Sequence, residues 1–202
     1  MNKVITILLY AIVIVGCSRS TGNDLLWLSD SEPSVKAEVI VDPSIELKND
    51  GFMIQGGPDN RVIKAKTEIG ALYGRYALQR LESTGKAEAV LDIKEEPSYE
   101  RRILNHWDNL DNTVERGYAG WSIWHWGEAV PVGLIRDYAR LNASIGINGT
   151  VLNNVNATPE ILGQEKLERV AEIADILRPY GIKVYLAVNF SSPAALGGLE
   201  TS

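Results

Sequence analysis

From Arg101 to Phe190, short β-type apolar runs alternate with longer amphipathic ones, and this alternation narrows the fold more than any other feature of the chain. "RRILNHW" reads as a first strand. "VGLIRDYARLNASIG" reads as a helix with Leu134, Ile135, Tyr138 and Leu141 on one face and Gly146 as its stop. "INGTVLNNVNA" is a second strand, and Thr158-Pro159 then supplies a helix N-cap and first helical position. The helix "EKLERVAEIADILRPYG" turns Leu167, Val170, Ala171, Ala174 and Leu177 inward. "IKVYLAVNF" is a third strand, apolar enough for burial on both faces. Strands that alternate with helices pair in parallel through right-handed crossovers.

Two architectures are built this way, a doubly wound sheet and a (β/α)8 barrel. No Gly-rich phosphate loop follows any of the strands, which weighs against a dinucleotide fold. Each strand ends instead in residues able to hydrogen-bond a sugar: His106-Trp107-Asp108-Asn109, Asn153-Asn154 and Asn189. Barrels carry their ligand chemistry at these carboxyl ends. A barrel needs about 250 residues, so a chain of 202 residues with three such units is expected to be the front end of a longer protein.

The preceding region has a different rhythm. "AEVIVD" and "GFMIQG" are strand-like between turn signals. In "KTEIGALYGRYALQRLES", Ile69, Leu72, Tyr73, Tyr76, Ala77 and Leu81 recur at helical spacing before Gly85. "AVLDIKEEPS" returns to strand and ends at Pro97. The expected fold is an α+β N-terminal domain over 17–100, followed over 101–202 by the first three βα units of a (β/α)8 TIM barrel.

At the amino terminus a lysine precedes an uncharged run from Val4 to Val15, too short to span a bilayer comfortably, which ends in Gly16-Cys17. "IVGC" resembles the bacterial lipobox. Residues 1–16 are therefore expected to be a lipoprotein signal peptide and Cys17 the lipidated first mature residue. That implies a membrane partner through a lipid anchor and a place in the cell envelope outside the cytoplasm, in the periplasm or at the outer membrane. Cys17 is the one cysteine, so no internal disulfide and no cysteine-built metal site can form. The net charge of −6 and the lack of a basic run exclude nucleic acid as a partner.

Four of the five tryptophans and both histidines fall between Asn105 and Trp126, interleaved with Asp, Asn and Arg. Apolar faces rimmed by donors and acceptors suit a flat, hydroxylated ligand. Trp107 ends the first strand, where its ring can stand over a barrel mouth and stack on a sugar, or can lie under the loop. Asp108 and Asn109 can bond hydroxyls or tie the loop to its own backbone N–H groups. Asp108 and Asp111 lie in a turn, a poor place for a catalytic acid. Asn153 and Asn154 project to opposite sides, so one of them enters the mouth. Arg116 can pair with a ligand carboxylate or pin the loop. Trp121, Trp124 and Trp126 suit a packed turn, and packing is expected for at least two. His106 faces away from Trp107 as a satisfied core histidine. His125 has no second ligand in pattern, so no metal and no cofactor are expected.

Three stretches, "RILNHWDNLDNTVERGYAGWSIW", "ASIGINGTVLNNVNA" and "VYLAVNFSSPAALGGL", closely resemble the bacterial and fungal α-glucuronidases of glycoside hydrolase family 67. "LLWL", "GFMIQG" and "TEIGALYGRYALQRL" resemble that family's amino-terminal α+β domain. The resemblance implies xylan degradation outside the cytoplasm. The enzyme would hydrolyse α-1,2-linked glucuronic acid or its 4-O-methyl ether from glucuronoxylan-derived oligosaccharides, with inversion. Inversion needs two carboxyl groups about 6.5–9.5 Å apart. In the family these come from later barrel strands, so no catalytic residue is expected before Ser202 and this stretch alone should be inactive. The expected substrate-binding residues are Trp107, Asp108, Asn109, Asn153, Asn154 and Asn189. The alternative from another class is a lipid-anchored glycan-binding protein without catalysis.

Overall fold

Two sheets organise the computed structural model, which describes residues 33–115, 120–190, 192–195 and 197. The expected signal segment, Cys17, "LLWLSD" and Arg116 lie outside the described residues.

The first sheet has the order β1-β3-β2-β4, formed by β1 (Glu38–Val41), β2 (Phe52–Gly56), β3 (Val62–Ala65) and β4 (Leu91–Glu95). β1 and β3 run parallel, while β2 is antiparallel to both β3 and β4. Helix α1 (Glu68–Ser83) packs on this sheet. The Thr67 hydroxyl caps its first turn by accepting from the Gly70 N–H at 3.1 Å. Gly74 lets the helix come close: a Cβ there would lie 2.6 Å from Ile63 Cγ2. Tyr73, Tyr76 and Ala77 are buried as the helical spacing predicts, and Leu78 is buried with them. Ile69, Leu72 and Leu81 are half-buried.

Strand β3 was not legible as a strand, because Arg61, Lys64 and Lys66 break up its short apolar run. It nonetheless sits between β1 and β2, with Ile63 and Ala65 fully buried. Pairing on both edges outweighs the local charge pattern.

The second sheet is parallel, in the order β5-β6-β7, formed by β5 (Ile103–Asn105), β6 (Gly149–Val151) and β7 (Lys183–Tyr185). Helix α2 (Val132–Ser144) lies between β5 and β6, and α3 (Gln164–Leu177) between β6 and β7. A short helix, α4 (Ser192–Ala195), follows. The strand–helix alternation thus yields a mixed α/β fold with a parallel sheet.

Several boundaries and faces differ from expectation. Each parallel strand is three residues long, shorter than its apolar run. Helix α2 buries Ile135, Ala139 and Ala143, one stripe at i, i+4 and i+8, which leaves Leu134 and Leu141 outside it and exposed. Helix α3 is rotated from the expected face. It buries Ile173 and Leu177, while Leu167 and Ala171 are exposed, because the larger Ile173 buries more apolar area than Ala171. Thr158-Pro159 does start a helical turn, but a 3-10 turn (Pro159–Leu162), and α3 begins after Gly163. The third strand is not buried on both faces: Lys183 is exposed and Val184 and Tyr185 are half-buried.

The first unit docks at the entry end of the parallel strands. Asp50 accepts from Arg102 Nη2 at 2.6 Å and from Asn148 Nδ2 at 3.0 Å. Arg80 of α1 donates to the Ser144 carbonyl, one of the orphan carbonyls at the end of α2. Gly181, at φ +72°, receives the Ile69 side chain, and a Cβ there would meet it at 2.7 Å. This seam holds clefts of about 430 and 650 Å³.

Candidate functional site

Parallel register brings Asn105, Val151 and Tyr185 side by side, so the segments that follow emerge together at the opposite end from the seam. Backbone bonds lace these exits to one another. His106 N–H donates to the Val151 carbonyl at 3.1 Å, and Leu152 N–H to Tyr185 at 3.1 Å. Asn154 N–H donates to the Asp108 carbonyl at 2.7 Å.

The polar residues singled out by sequence occupy different places there. Trp107 is 41% exposed. Asp108 is buried directly after it, and its carboxylate Oδ1 lies 3.8 Å from His106 Nδ1. Asn109 Nδ2 donates to Thr113 Oγ1 at 3.1 Å, closing the loop on itself. Asp111 Oδ1 accepts from the Thr113 hydroxyl at 2.6 Å and from its N–H at 2.9 Å, and those bonds hold its carboxyl below the usual range. Asp111 is therefore a turn-forming carboxylate, whose low pKa unfits it as a general acid.

Asn153 is fully buried. Its Oδ1 accepts from Ala187 N–H at 3.0 Å, and its Nδ2 donates to the carbonyls of Ala187 at 2.8 Å and Asn154 at 3.1 Å. Asn154 is almost fully buried too, with Oδ1 accepting from Asn156 N–H at 2.8 Å. Its Nδ2 is a buried donor with no hydrogen-bond partner among the described residues. Asn189 is exposed, and its carbonyl accepts from Ser192 N–H at 3.0 Å.

Beneath this rim lies a polar chain that sequence reasoning missed. His106 Nε2 is 2.9 Å from Tyr138 Oη, which is 2.9 Å from Thr150 Oγ1. The His106 ring meets Trp124 edge-on at 5.2 Å, and Trp124 meets Tyr138 edge-on at 5.3 Å. Burial pulls the His106 pKa down, against the raising effect of Asp108, so the imidazole is neutral at neutral pH. Burial likewise pushes the Tyr138 hydroxyl up. The available signal was Tyr138 itself: a phenol on the inner face of a helix needs a partner for its hydroxyl.

Trp124 and Trp126 are core residues, whereas Trp121 is 61% exposed. His125 takes a left-handed backbone at φ +49°, and its Nδ1 lies 3.6 Å from Glu128 Oε2. Among the described residues no group of three or more His, Cys, Asp or Glu could hold a metal. The strand exits thus carry a part-exposed Trp107, a buried Asp108 and a buried Asn154 Nδ2 without a partner among the described residues.

The model of the glycosyl hydrolase family 67 middle domain matches residues 81–202. Over 162 residues the chain is 43% identical to a probable alpha-glucuronidase A of Aspergillus clavatus, covering 79% of this chain and 19% of that protein. It is 45% identical over 164 residues to the alpha-glucuronidase A of Emericella nidulans, covering 77% and 19%. The chain therefore spans about a fifth of the length of the curated relatives it matches. A beta-N-acetylhexosaminidase of known structure superposes with a TM-score of 0.49 at 15% identity, over 76% of this chain and 35% of that one.

Proposed function

The chain belongs to glycosyl hydrolase family 67, and on that premise we propose that it is the amino-terminal part of an extracytoplasmic α-glucuronidase. Its substrate would be glucuronoxylan-derived xylo-oligosaccharides carrying α-1,2-linked glucuronic or 4-O-methylglucuronic acid. The three βα units would open a (β/α)8 barrel. The observation that carries this reading is part-exposed Trp107, buried Asp108 and the Asn154 Nδ2 donor, without a partner among the described residues, all following the carboxyl ends of parallel strands. That is the end at which barrel enzymes bind their ligands.

In this reading the C–H face of the sugar stacks on Trp107. The Asp108 carboxylate accepts from ring hydroxyls, and Asn154 Nδ2 donates to an oxygen. Asn109, Asn153 and Asn189 shape the rim, Asn153 by tying it to the Ala187 backbone. An inverting reaction adds a carboxylic acid, to protonate the leaving xylose oxygen, and a carboxylate, to deprotonate the attacking water. The reading assigns both to barrel strands beyond Ser202.

The test is the full-length protein incubated with aldotriouronic acid and followed by proton NMR. Release of glucuronic acid with the β anomer appearing first supports the reading. No release contradicts the activity, and an α anomer appearing first contradicts inversion. The lipid anchor at Cys17 is tested separately. Cys17→Ser should move the protein from the membrane fraction to the soluble fraction, and a wild type that is already soluble would remove the anchor.

A further inference from the structure

We propose that His106 and Tyr138 are positioning residues for the sugar site: linked to Thr150, they hold the Asp108 carboxylate and the Trp107 indole in the orientation that a bound pyranose requires. The proposal rests on the reading of the strand exits as a uronosyl-sugar site. Two contacts joining three residues carry it. Tyr138 projects from α2, Thr150 lies in β6, and His106 directly follows β5, with both oxygen-to-partner distances at 2.9 Å.

The geometry selects one proton arrangement. If Nε2 carried the ring proton, the lone pair of Nδ1 would face the Asp108 carboxylate at 3.8 Å, lone pair toward negative charge. With the proton on Nδ1, the ring N–H lies on the side of the carboxylate, 3.8 Å away and beyond hydrogen-bond range, and Nε2 accepts from the Tyr138 hydroxyl. Tyr138 Oη can then accept from the Thr150 hydroxyl, so His106 and Tyr138 each have one donor and one acceptor role. The imidazole stays neutral in its half-buried place. The Asp108 carboxylate thus faces a neutral ring rather than an imidazolium.

Trp107 lies between the two residues thus held. Fixing His106 on one side and Asp108 on the other fixes the backbone from which the indole projects. A purely structural role would not need this chemistry. Trp124 already packs edge-on against both the His106 and Tyr138 rings.

The experiment uses the full-length enzyme with Tyr138→Phe, Thr150→Val and Asp108→Asn, and the Tyr138→Phe/Asp108→Asn double variant. Tyr138→Phe keeps the ring and loses the hydroxyl. The KM for aldotriouronic acid should rise about two- to tenfold, the range of one hydrogen bond. The change in kcat should be smaller, and the melting temperature should fall modestly, since His106 Nε2 and the Thr150 hydroxyl lose their shared partner. Thr150→Val should shift KM in the same direction but less. Tyr138→Phe should add little to Asp108→Asn in the double variant, because it acts through that carboxylate. In the wild type, the 15N shifts of His106 should report a neutral ring protonated at Nδ1. An active wild type whose KM is unchanged by Tyr138→Phe and Thr150→Val would overturn this proposal alone. So would full additivity with Asp108→Asn, or a ring protonated at Nε2. A wild type that neither binds nor cleaves the substrate would overturn the functional reading, and this proposal with it.

Discussion

Asn153 and Ala187 are joined twice, the amide oxygen accepting from the Ala187 N–H and the amide nitrogen donating to its carbonyl, 3.0 and 2.8 Å apart. This side chain stands in for a strand partner just where β6 and β7 have ended, and it keeps the two exits at the spacing set by the sheet. A third bond to the Asn154 carbonyl adds the next residue of the rim.

Asn153→Ala should accordingly destabilise the fold by about 1–3 kcal/mol, since it removes these bonds and leaves half-buried Ala187 groups without their partner. Asn153→Asp should be no better, because a carboxylate cannot donate to the Ala187 carbonyl. Urea unfolding of both variants checks this, and a loss below about 0.5 kcal/mol for both would rule out the clamp.

Helix α1 supplies a second test. At Gly74 an added methyl group would have to displace Ile63 Cγ2, 2.6 Å away, and it would also crowd Phe52 at 3.3 Å. Both neighbours are core residues. Gly74→Ala should therefore lower stability by about 1–3 kcal/mol through overpacking, despite alanine's better helix propensity. A melting curve at or above that of the wild type would show that the helix lies farther from the sheet.

His106 predicts a pH effect on stability. Its folded pKa lies below the ordinary value of 6.5, chiefly from burial, with Asp108 opposing and Tyr138 hydrogen-bonded at Nε2. The unfolded chain then takes up a proton before the folded one does. Stability is fully present above the unfolded pKa and falls as pH drops through 6.5 toward the folded value. Unfolding measured from pH 8 to 5 should show this loss, and His106→Gln should lack that component. An identical pH dependence in the variant would mean that His106 titrates as if exposed.

Periodicity made most of the fold legible before any coordinates. The α1 helix, strands β1, β2 and β4, and the parallel β5-β6-β7 order all follow from apolar spacing and turn residues. What spacing could not settle were features decided by tertiary partners. β3 is a strand because two neighbours pair with it, and α3 turns Ile173 inward because the core rewards the larger side chain. The site was legible as a set of strand-end residues, because sequence position alone puts them at one end of a parallel sheet. Their individual roles were not. Nothing in "NNVNA" announces that Asn153 bonds the Ala187 backbone 34 positions away. Nor does "RDYARL" reveal that Tyr138 reaches both His106 and Thr150.

The central claim is that the strand exits bind a uronosyl sugar with Trp107 as their platform, and one variant tests it most directly. Trp107→Ala in the full-length enzyme removes a stacking surface worth about 1–3 kcal/mol by analogy with other aromatic platforms. That corresponds to roughly a five- to hundredfold fall in kcat/KM on aldotriouronic acid. The indole is 41% exposed, so the melting temperature should move little. Reduced kcat/KM with a nearly unchanged melting curve is the predicted result. Unchanged kinetics with a large drop in melting temperature would contradict the account and make Trp107 a packing residue.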